Sequence, residues 1–318
     1  MTNMMAAHPS GEGFGPETDR PFLFFTLVSE DPDLAAWLTG LPCPVIGLVA
    51  SGQSFPELEQ ACDVLVATQE EADLITTNIM AAPIAALVLV QQLRLSEKLD
   101  VPKALTAESL AYATVQKGPE FFRWLQGYAA QETGSADVPL LLQKSAGGTL
   151  ELTFNAPARH NAIDAAMRDA LCEALELAKL DPDVAAVHLA ASGRSFSVGG
   201  DLNEFGHVAD PATAHWIRSV RLPARQLAQL GKPLHVRVEG AAIGAGVEIA
   251  AFGDHVCATS KAWFQLPELK YGLIPGAGGT VSLTRRIGRH KTAYMALSMK
   301  KIKARQAYDW GLVDELLE

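Results

Sequence analysis

Cysteine is scarce in this chain. The four that occur, Cys43, Cys62, Cys172 and Cys257, form no Cys-x-x-Cys pair. That pattern excludes a disulfide framework and predicts reduced, mostly buried thiols in a cytoplasmic protein. The eight histidines show no His-x-x-x-His spacing, so the sequence predicts no metal site. No Gly-x-Ser-x-Gly segment occurs, which excludes the nucleophile elbow of serine hydrolases.

Long apolar runs and an excess of positive charge are also missing. The longest run, Ile79–Val90, is interrupted by Pro83 and is shorter than the roughly 20 residues of a membrane span. Met1–Arg20 is rich in Gly, Pro and polar residues, which predicts a disordered segment and no secretory signal. The net charge of −10 repels phosphate backbones and anionic lipids, so we expect neither nucleic acid nor a membrane as partner.

What is present is an ordinary globular composition, with 48% hydrophobic residues. A length of 318 residues suggests about two domains. Small and polar residues cluster at Gln131–Val138 between two apolar regions, which is typical of a linker. The sequence therefore predicts a disordered segment over 1–20, a smaller α/β domain over 21–135 that is not catalytic, and a second domain over 136–318.

The second region alternates predicted strands with predicted helices. Leu150–Phe154, Ala185–Ala190 and Pro233–Val238 are predicted strands, and Asp164–Leu180 is a predicted helix. This alternation favours an α/β fold with parallel crossovers. In the first region, the stretch from Pro44 to Asp63 resembles the stretch from Pro233 to Asp254. Either these are two unrelated strand–helix–strand passages, or the first region is a shortened, degenerate relative of the second.

Three segments of the second region have residues suited to chemistry. FSVGGDL, Phe196–Leu202, has paired glycines that let the backbone approach a ligand. EGAAIGAGVEIA, Glu239–Ala250, opens a helix whose free N–H groups can hold an anion, with Glu248 in its first turn. FQLPELKYGLIPGAGGT, Phe264–Thr280, has Glu268 after a proline and then glycines that open another helix. Taken alone, Glu248 is also explained as a helix cap and Glu268 as a solvated acid.

Together, these segments resemble the crotonase, or enoyl-CoA hydratase/isomerase, superfamily over about residues 146–318. LTFNAPARHNAIDAAMRDAL and KARQAYDWGLVDELL resemble the opening strand–turn–helix and a late segment of that family. The resemblance implies a crotonase-like spiral of β-β-α turns, preceded here by the smaller α/β domain. It also implies an acyl-CoA thioester substrate, no cofactor apart from the coenzyme A of that substrate, and a homo-oligomer, usually a trimer or hexamer.

The resemblance also assigns roles to residues. The N–H groups of Gly200 and Ala245 match the pair that holds the thioester oxygen, with Ala245 at a position where glycine is more usual. Glu248 would orient and activate water at the β-carbon, Glu268 would transfer a proton at the α-carbon, and the Gly276 N–H would contact that water. Seven further residues match the path of the CoA nucleotide: Arg159, His160, Asn161, Ala162, Val198, Asp201 and Leu202. Arg159 could pair with a phosphate, whereas Asn161 suits a turn better than a ligand contact.

The predicted function is that of an enoyl-CoA hydratase-like lyase, because both family glutamates are present. Isomerisation, thioester hydrolysis and decarboxylation remain alternatives within the same family, and a non-catalytic acyl-CoA-binding assembly subunit is an alternative outside enzymes. A dinucleotide-binding oxidoreductase is disfavoured, because the strand after GAGVEIA reads HVCATSK and has no acid for a ribose.

The chain departs from the family pattern at both ends. Family members usually continue as helices beyond the Gly-Leu-Val-Asp segment, whereas this sequence stops at Glu318 and has about 135 additional residues in front. We expect helices near Pro83–Leu95 and Thr106–Leu125 to supply part of the missing cover over the site. A truncated chain is the alternative.

Overall fold

The computed structural model describes residues 11–130, 138–208 and 210–318. The predicted disorder of residues 1–10 and the predicted boundary near residue 135 lie outside the described residues. For residues 11–20 the predicted disorder is wrong. Gly11–Gly13 forms a 3-10 helix, and Phe14, only 5% exposed, packs edge-on against Trp37 with ring centroids 5.8 Å apart. An aromatic anchor holds this segment on the protein.

Within residues 11–66 a small parallel sheet has its own apolar core. Strands β1 (Leu23–Thr26), β2 (Val45–Leu48) and β3 (Val64–Val66) lie in that order. Helices α1 (Pro32–Thr39) and α2 (Pro56–Ala61) connect them. The core of this unit includes buried Leu27, Leu38, Cys43, Leu58 and Cys62.

Four helices follow and join a different core. They are α3 (Gln69–Ala81), α4 (Pro83–Lys98), α5 (Val101–Val115) and α6 (Pro119–Gly127). Their buried Ile75, Leu89 and Phe121 belong to the same apolar cluster as the sheets of residues 138–318. The helical half of the predicted small domain over 21–135 thus buries its apolar face against the second region, while the division into domains stays a prediction.

Pro83 separates α3 from α4, as the interrupted apolar run predicts. Within the described residues, no single helix is long and apolar enough to span a membrane; α3 and α4 pass that test only as a pair bent by 111°.

The second region has two sheets among the described residues. One has the order β13-β10-β8-β6-β5-β4, parallel except for the β4–β5 pair, and the other has the order β12-β11-β9-β7. The strands are β4 (Leu140–Lys144), β5 (Thr149–Phe154), β6 (Ala186–Ala191), β7 (Ser195–Ser197), β8 (Leu234–Val238), β9 (Ala241–Ile243), β10 (His255–Thr259), β11 (Trp263–Gln265), β12 (Ile302–Lys303) and β13 (Glu315–Leu317). The helices are α7 (Ala165–Leu180), α8 (Pro211–Val220), α9 (Pro223–Leu227), α10 (Ala245–Ala250), α11 (Gly279–Ile287), α12 (Arg289–Ser298) and α13 (Ala304–Trp310).

From β6 to β11, consecutive strands alternate between the two sheets, and this positions the site. The chain passes from β8 in one sheet to β9 in the other and then into α10, and from β10 to β11 and then into α11. This is the predicted spiral of β-β-α turns, and the prediction is confirmed. The predicted helix over Asp164–Leu180 begins at Ala165, with the Asp164 carboxylate accepting from the Met167 N–H as its cap.

In both regions, an aspartate makes the same two hydrogen bonds to a neighbouring strand at the start of a strand pair. Its carboxylate accepts a hydrogen bond from the neighbouring strand's N–H, while its own N–H donates to the same residue's carbonyl. The pairs in the described parts of the chain are Asp63 with Val45, Asp254 with Leu234, and Asp314 with Val256. The predicted similarity of the two strand–helix–strand passages thus has a structural counterpart, while their common origin stays a prediction.

Candidate active site

A cavity of about 640 Å³ lies between the two regions of the chain. Many predicted site residues line it: Ala162, Val198, Gly200, Asp201, Leu202, Ala245, Glu248, Glu268 and Gly276. Tyr112 and Tyr128, from the first region, complete the wall. The helices in front of the family-like region thus contribute directly to the site.

The two N–H groups predicted to hold an oxyanion belong to neighbouring loops. Gly199 has φ +91°, and a Cβ there would lie 2.8 Å from the Ile243 carbonyl oxygen and 3.4 Å from the Ala245 nitrogen. Only glycine permits this approach of the loop after β7 to the turn before α10. Among the described residues, neither the Gly200 N–H nor the Ala245 N–H donates to a protein acceptor. Both are available to an anionic oxygen in the cavity.

Glu248 is held rigidly in the wall of the cavity. It is 2% exposed, and its Oε2 accepts hydrogen bonds from the N–H groups of Ala277 and Gly279, each at 2.7 Å. A Cβ at Gly279 would lie 2.4 Å from Glu248 Cγ, so this approach also requires glycine. Burial raises the pKa of Glu248, the neighbouring acids raise it further, and the two N–H donors oppose that rise.

Glu268 opens a 3-10 helix, Glu268–Tyr271, directly after Pro267. Its Oε1 lies close to Gly244, whose φ is +50°. A Cβ added at Gly244 would be only 2.6 Å from this oxygen. Its Oε2 is buried and has no hydrogen-bond partner among the described residues. Burial raises the pKa of Glu268 to about 8. Near neutral pH this carboxyl therefore holds its proton, and its orphaned oxygen is free to meet a reacting group.

A third buried acid, Glu108 on α5, was missed by the sequence reasoning. It is fully buried; Oε1 accepts from the Gly278 N–H at 2.7 Å, and Oε2 accepts from the N–H and hydroxyl of Thr280 at 2.9 and 2.7 Å. Burial raises its pKa to about 7. The available signal was weak: Glu108 and Tyr112 lie four residues apart and so share a helix face.

The structure gives Arg159 two carboxylate partners, and its predicted phosphate contact stays a prediction. Its side chain is 8% exposed, and its guanidinium pairs with Asp164 at 2.7 Å and Asp201 at 3.1 Å, tying two loops together. The cations that line the cavity among the described residues include Arg168 and Lys270 instead. Sequence resemblance located the loop correctly but did not reveal that its arginine is already neutralised.

His160 and Asn161 do not line the cavity, so their prediction as contacts of the nucleotide path is not supported. His160 Nδ1 lies 3.3 Å from the Ser195 hydroxyl. Asn161 is fully buried with φ +55°, accepts from the Ala156 N–H and donates to the carbonyls of Ser192 and Ser195. Its side chain organises the turn.

The Gly276 N–H does not bind Glu248; the Ala277 and Gly279 N–H groups do. Gly276 itself packs against Tyr112, because a Cβ there would lie 2.2 Å from Tyr112 Cδ2. The role of its N–H toward a water stays a prediction.

Comparison with known proteins gives the family of this chain. A family model described as enoyl-CoA hydratase/isomerase matches residues 144–318. A 2,3-dehydroadipyl-CoA hydratase of Escherichia coli is 40% identical over 52% of this chain and 65% of its own length. A 1,2-epoxyphenylacetyl-CoA isomerase of the same organism is 35% identical over 54% of this chain and 67% of its own.

A solved enoyl-CoA hydratase from Thermoplasma volcanium superposes with a TM-score of 0.51 and 31% identity, covering 57% of this chain and 72% of that one. The chain spans 65% and 67% of the length of the two curated relatives named above. It belongs to the enoyl-CoA hydratase/isomerase family.

Proposed function

We propose that this protein adds water across the α,β double bond of an acyl-CoA thioester. One observation carries the proposal: buried Glu248 and half-buried Glu268 line the same cavity as Gly200 and Ala245, whose N–H groups have no acceptor among the described residues. An acid, a base and an oxyanion site are what the reaction needs.

The contacts of the two glutamates support different roles. Glu248 accepts two backbone hydrogen bonds, which oppose the rise that burial causes in its pKa and stabilise the charged form that takes a proton from water. Glu268 has a pKa of about 8 and lacks such donors on Oε2, which suits it to give a proton.

In the proposed reaction the water oxygen bonds to the β-carbon while its proton passes to Glu248. The π electrons move onto the thioester oxygen, where the N–H groups of Gly200 and Ala245 stabilise them. The α-carbon then takes the proton of Glu268 as the enolate collapses. Each N–H donor of this kind contributes on the order of 3 kcal/mol to the barrier reduction. Return of one proton from Glu248 to Glu268 restores the pair.

Coenzyme A enters this proposal as part of the substrate. Lys270 is exposed and Arg168 half-buried at the cavity, so these side chains are suited to bind its phosphates. Ala162, Val198 and Leu202 supply wall surface beside them. No metal is invoked, and a trimeric or hexameric assembly, common in the family, is part of the proposal.

The test follows the enoyl-thioester absorbance with trans-2-hexenoyl-CoA for wild type, Glu248→Gln and Glu268→Gln. Glu173→Gln is the matched control, because Glu173 is an exposed helical acid paired with Arg221. We expect wild type and the control to consume the band, and each active-site variant to lose on the order of 10²–10⁴ in kcat. An enzyme that leaves the thioester intact, or variants that keep wild-type rates, would overturn the proposal. Product analysis separates hydration from double-bond isomerisation, because the first adds a hydroxyl group and the second leaves the thioester unsaturated.

A further inference from the structure

The cavity wall contains an arginine whose charge no contacting acid balances. Arg218, on α8, is half-buried and lines the cavity. Among the described residues no carboxylate lies within ion-pair distance of its guanidinium. The other two cations of the wall differ: Arg168 pairs with Asp169 at 2.8 Å, and Lys270 is exposed. A half-buried guanidinium without an acid is costly unless something anionic binds it.

Neutral groups hold this guanidinium in place. Nε donates to the Ser109 hydroxyl at 3.0 Å, Nη2 to the Ser109 carbonyl at 3.3 Å, and Nη1 to Gln116 Oε1 at 3.5 Å. The guanidinium carbon lies 4.7 Å above the ring of Tyr112. Since an arginine has five N–H donors, one remains on each terminal nitrogen. A pair of donors on two terminal nitrogens matches the two oxygens of a carboxylate.

Tyr112 connects Arg218 to the reacting end of the cavity. One edge of its ring packs on Gly276, in the loop that binds Glu248, and Arg218 covers the ring. The lining of the same cavity includes the apolar or aromatic side chains of Phe205, Leu222 and Ile274. An acyl chain that extends from the two glutamates along Tyr112 would run over apolar surface and end at a cation.

We propose that Arg218 binds a carboxylate at the far end of the acyl chain, so that the preferred substrates are CoA thioesters of dicarboxylic acids. This inference rests on the proposed function and deepens it by naming the substrate class. It makes Arg218 a specificity-determining residue of a site whose chemistry is performed by other groups.

A competing role for Arg218 is electrostatic compensation of the buried acids. Glu108 and Arg218 interact through space, and the arginine lowers the pKa that burial raises in Glu108. The Glu108 carboxylate, however, already accepts hydrogen bonds from the N–H groups of Gly278 and Thr280. The two roles predict different kinetics. Compensation of the acids affects every substrate equally, whereas carboxylate binding affects only substrates that have the terminal charge.

The test compares trans-2-hexenoyl-CoA with 5-carboxy-2-pentenoyl-CoA, which has the same six-carbon acyl chain with a terminal carboxylate. Wild type, Arg218→Gln and Arg218→Lys are assayed, with Arg221→Gln as control because Arg221 pairs with Glu173 outside the cavity. We expect wild type to prefer the carboxylated substrate in kcat/KM by about tenfold or more. Arg218→Gln should abolish this preference by lowering kcat/KM for the carboxylated substrate far more than for hexenoyl-CoA. Arg218→Lys should restore part of the preference, and Arg221→Gln should keep it.

Equal kcat/KM values in wild type, or a parallel loss on both substrates in Arg218→Gln, would overturn the inference and leave hydration intact. If wild type hydrates neither thioester, the proposed function fails, and the inference is judged by calorimetric binding of adipyl-CoA and hexanoyl-CoA to wild type. Tighter binding of adipyl-CoA would support it, and equal binding would overturn it. The binding arm needs no variant, so a poorly folding substitution does not prevent the test.

Discussion

Glu108 and Glu248 accept hydrogen bonds from alternate residues of one stretch, 277–280, at the start of α11. Glu248 binds the N–H groups of Ala277 and Gly279, and Glu108 binds those of Gly278 and Thr280. Two acids far apart in the sequence therefore fix one loop, and the orientation of the proposed catalytic base depends on a helix of the first region.

Replacing Glu108 should therefore disturb both stability and catalysis. Glu108→Ala leaves two buried N–H groups and the Thr280 hydroxyl without their acceptor, which should cost about 2–5 kcal/mol of unfolding free energy. The turnover rate should fall as well, since Glu248 shares the loop. Glu108→Gln retains an acceptor oxygen and should recover part of both losses. Urea unfolding and kcat/KM measure the two effects.

Asp254→Ala is the control for Glu108→Ala, because Asp254 accepts the Leu234 N–H in the sheet, outside the cavity wall. It should lower stability without lowering the turnover rate of the folded enzyme. A Glu108→Ala protein with wild-type turnover would contradict the coupling of the two acids.

A proline at position 245 should remove a single N–H from the oxyanion site. Ala245 is the first residue of α10, a position that tolerates proline because its N–H has no helical acceptor. Ala245→Pro should lower kcat by roughly 10²–10³ with little loss of stability, as expected for one oxyanion donor. Ala245→Gly retains the N–H and should stay within a few-fold of wild type. Equal activity of the two variants would exclude this N–H from catalysis.

The raised pKa values of the buried acids give stability a definite pH dependence. Burial raises the pKa of Glu108 to about 7 and that of Glu268 to about 8, both above the ordinary glutamate value of 4.5. Between 4.5 and these values the folded protein holds protons that the unfolded chain releases, so the unfolding free energy must fall as pH rises. Each contribution fades once pH exceeds the folded-state pKa of its own group, about 7 for Glu108 and about 8 for Glu268.

Urea midpoints at about pH 5 and pH 9 measure this slope. Glu268→Gln cannot ionise and should lose less stability over the same interval than wild type. An unchanged slope in that variant would show that Glu268 titrates at its ordinary value when the protein is folded.

The sequence could predict those parts of the site that lie in contiguous segments. Gly200, Ala245, Glu248 and Glu268 each sit at a strand end or helix start whose glycine pattern dictates local backbone geometry, and the structure brings them to one cavity. For Arg159 the sequence predicted the position of the side chain but not its partners. Those partners, Asp164 and Asp201, come from separate loops.

Glu108 could not be predicted because its contact spans 170 residues of sequence. Nothing in the local pattern of α5 distinguishes an acid that caps a distant helix from an acid on a solvated face. Contacts between residues distant in sequence also bear on the predicted division into domains. The apolar faces of α4 and α6 read as an independent core, and only packing reveals that they cover the sheets of the second region.

The shared core leads to a prediction about dissection. A chain of residues 138–318 would expose the apolar surface that Leu89, Leu93 and Phe121 cover, and would lose Tyr112, Tyr128 and Glu108 from the site. Arg289, now 6% exposed against Asp63, would also lose its buried ion pair, a change that typically costs about 3–5 kcal/mol.

We expect this fragment to be unfolded or aggregated by circular dichroism and gel filtration. Co-expression with residues 11–130 as a second chain should restore a folded complex with hydratase activity. The fragment of residues 138–318 could instead be folded, monodisperse and as active as the whole chain. That result would show that the first region is not needed to cover the site. The wall formed by Tyr112 and Tyr128 would then have no part in catalysis.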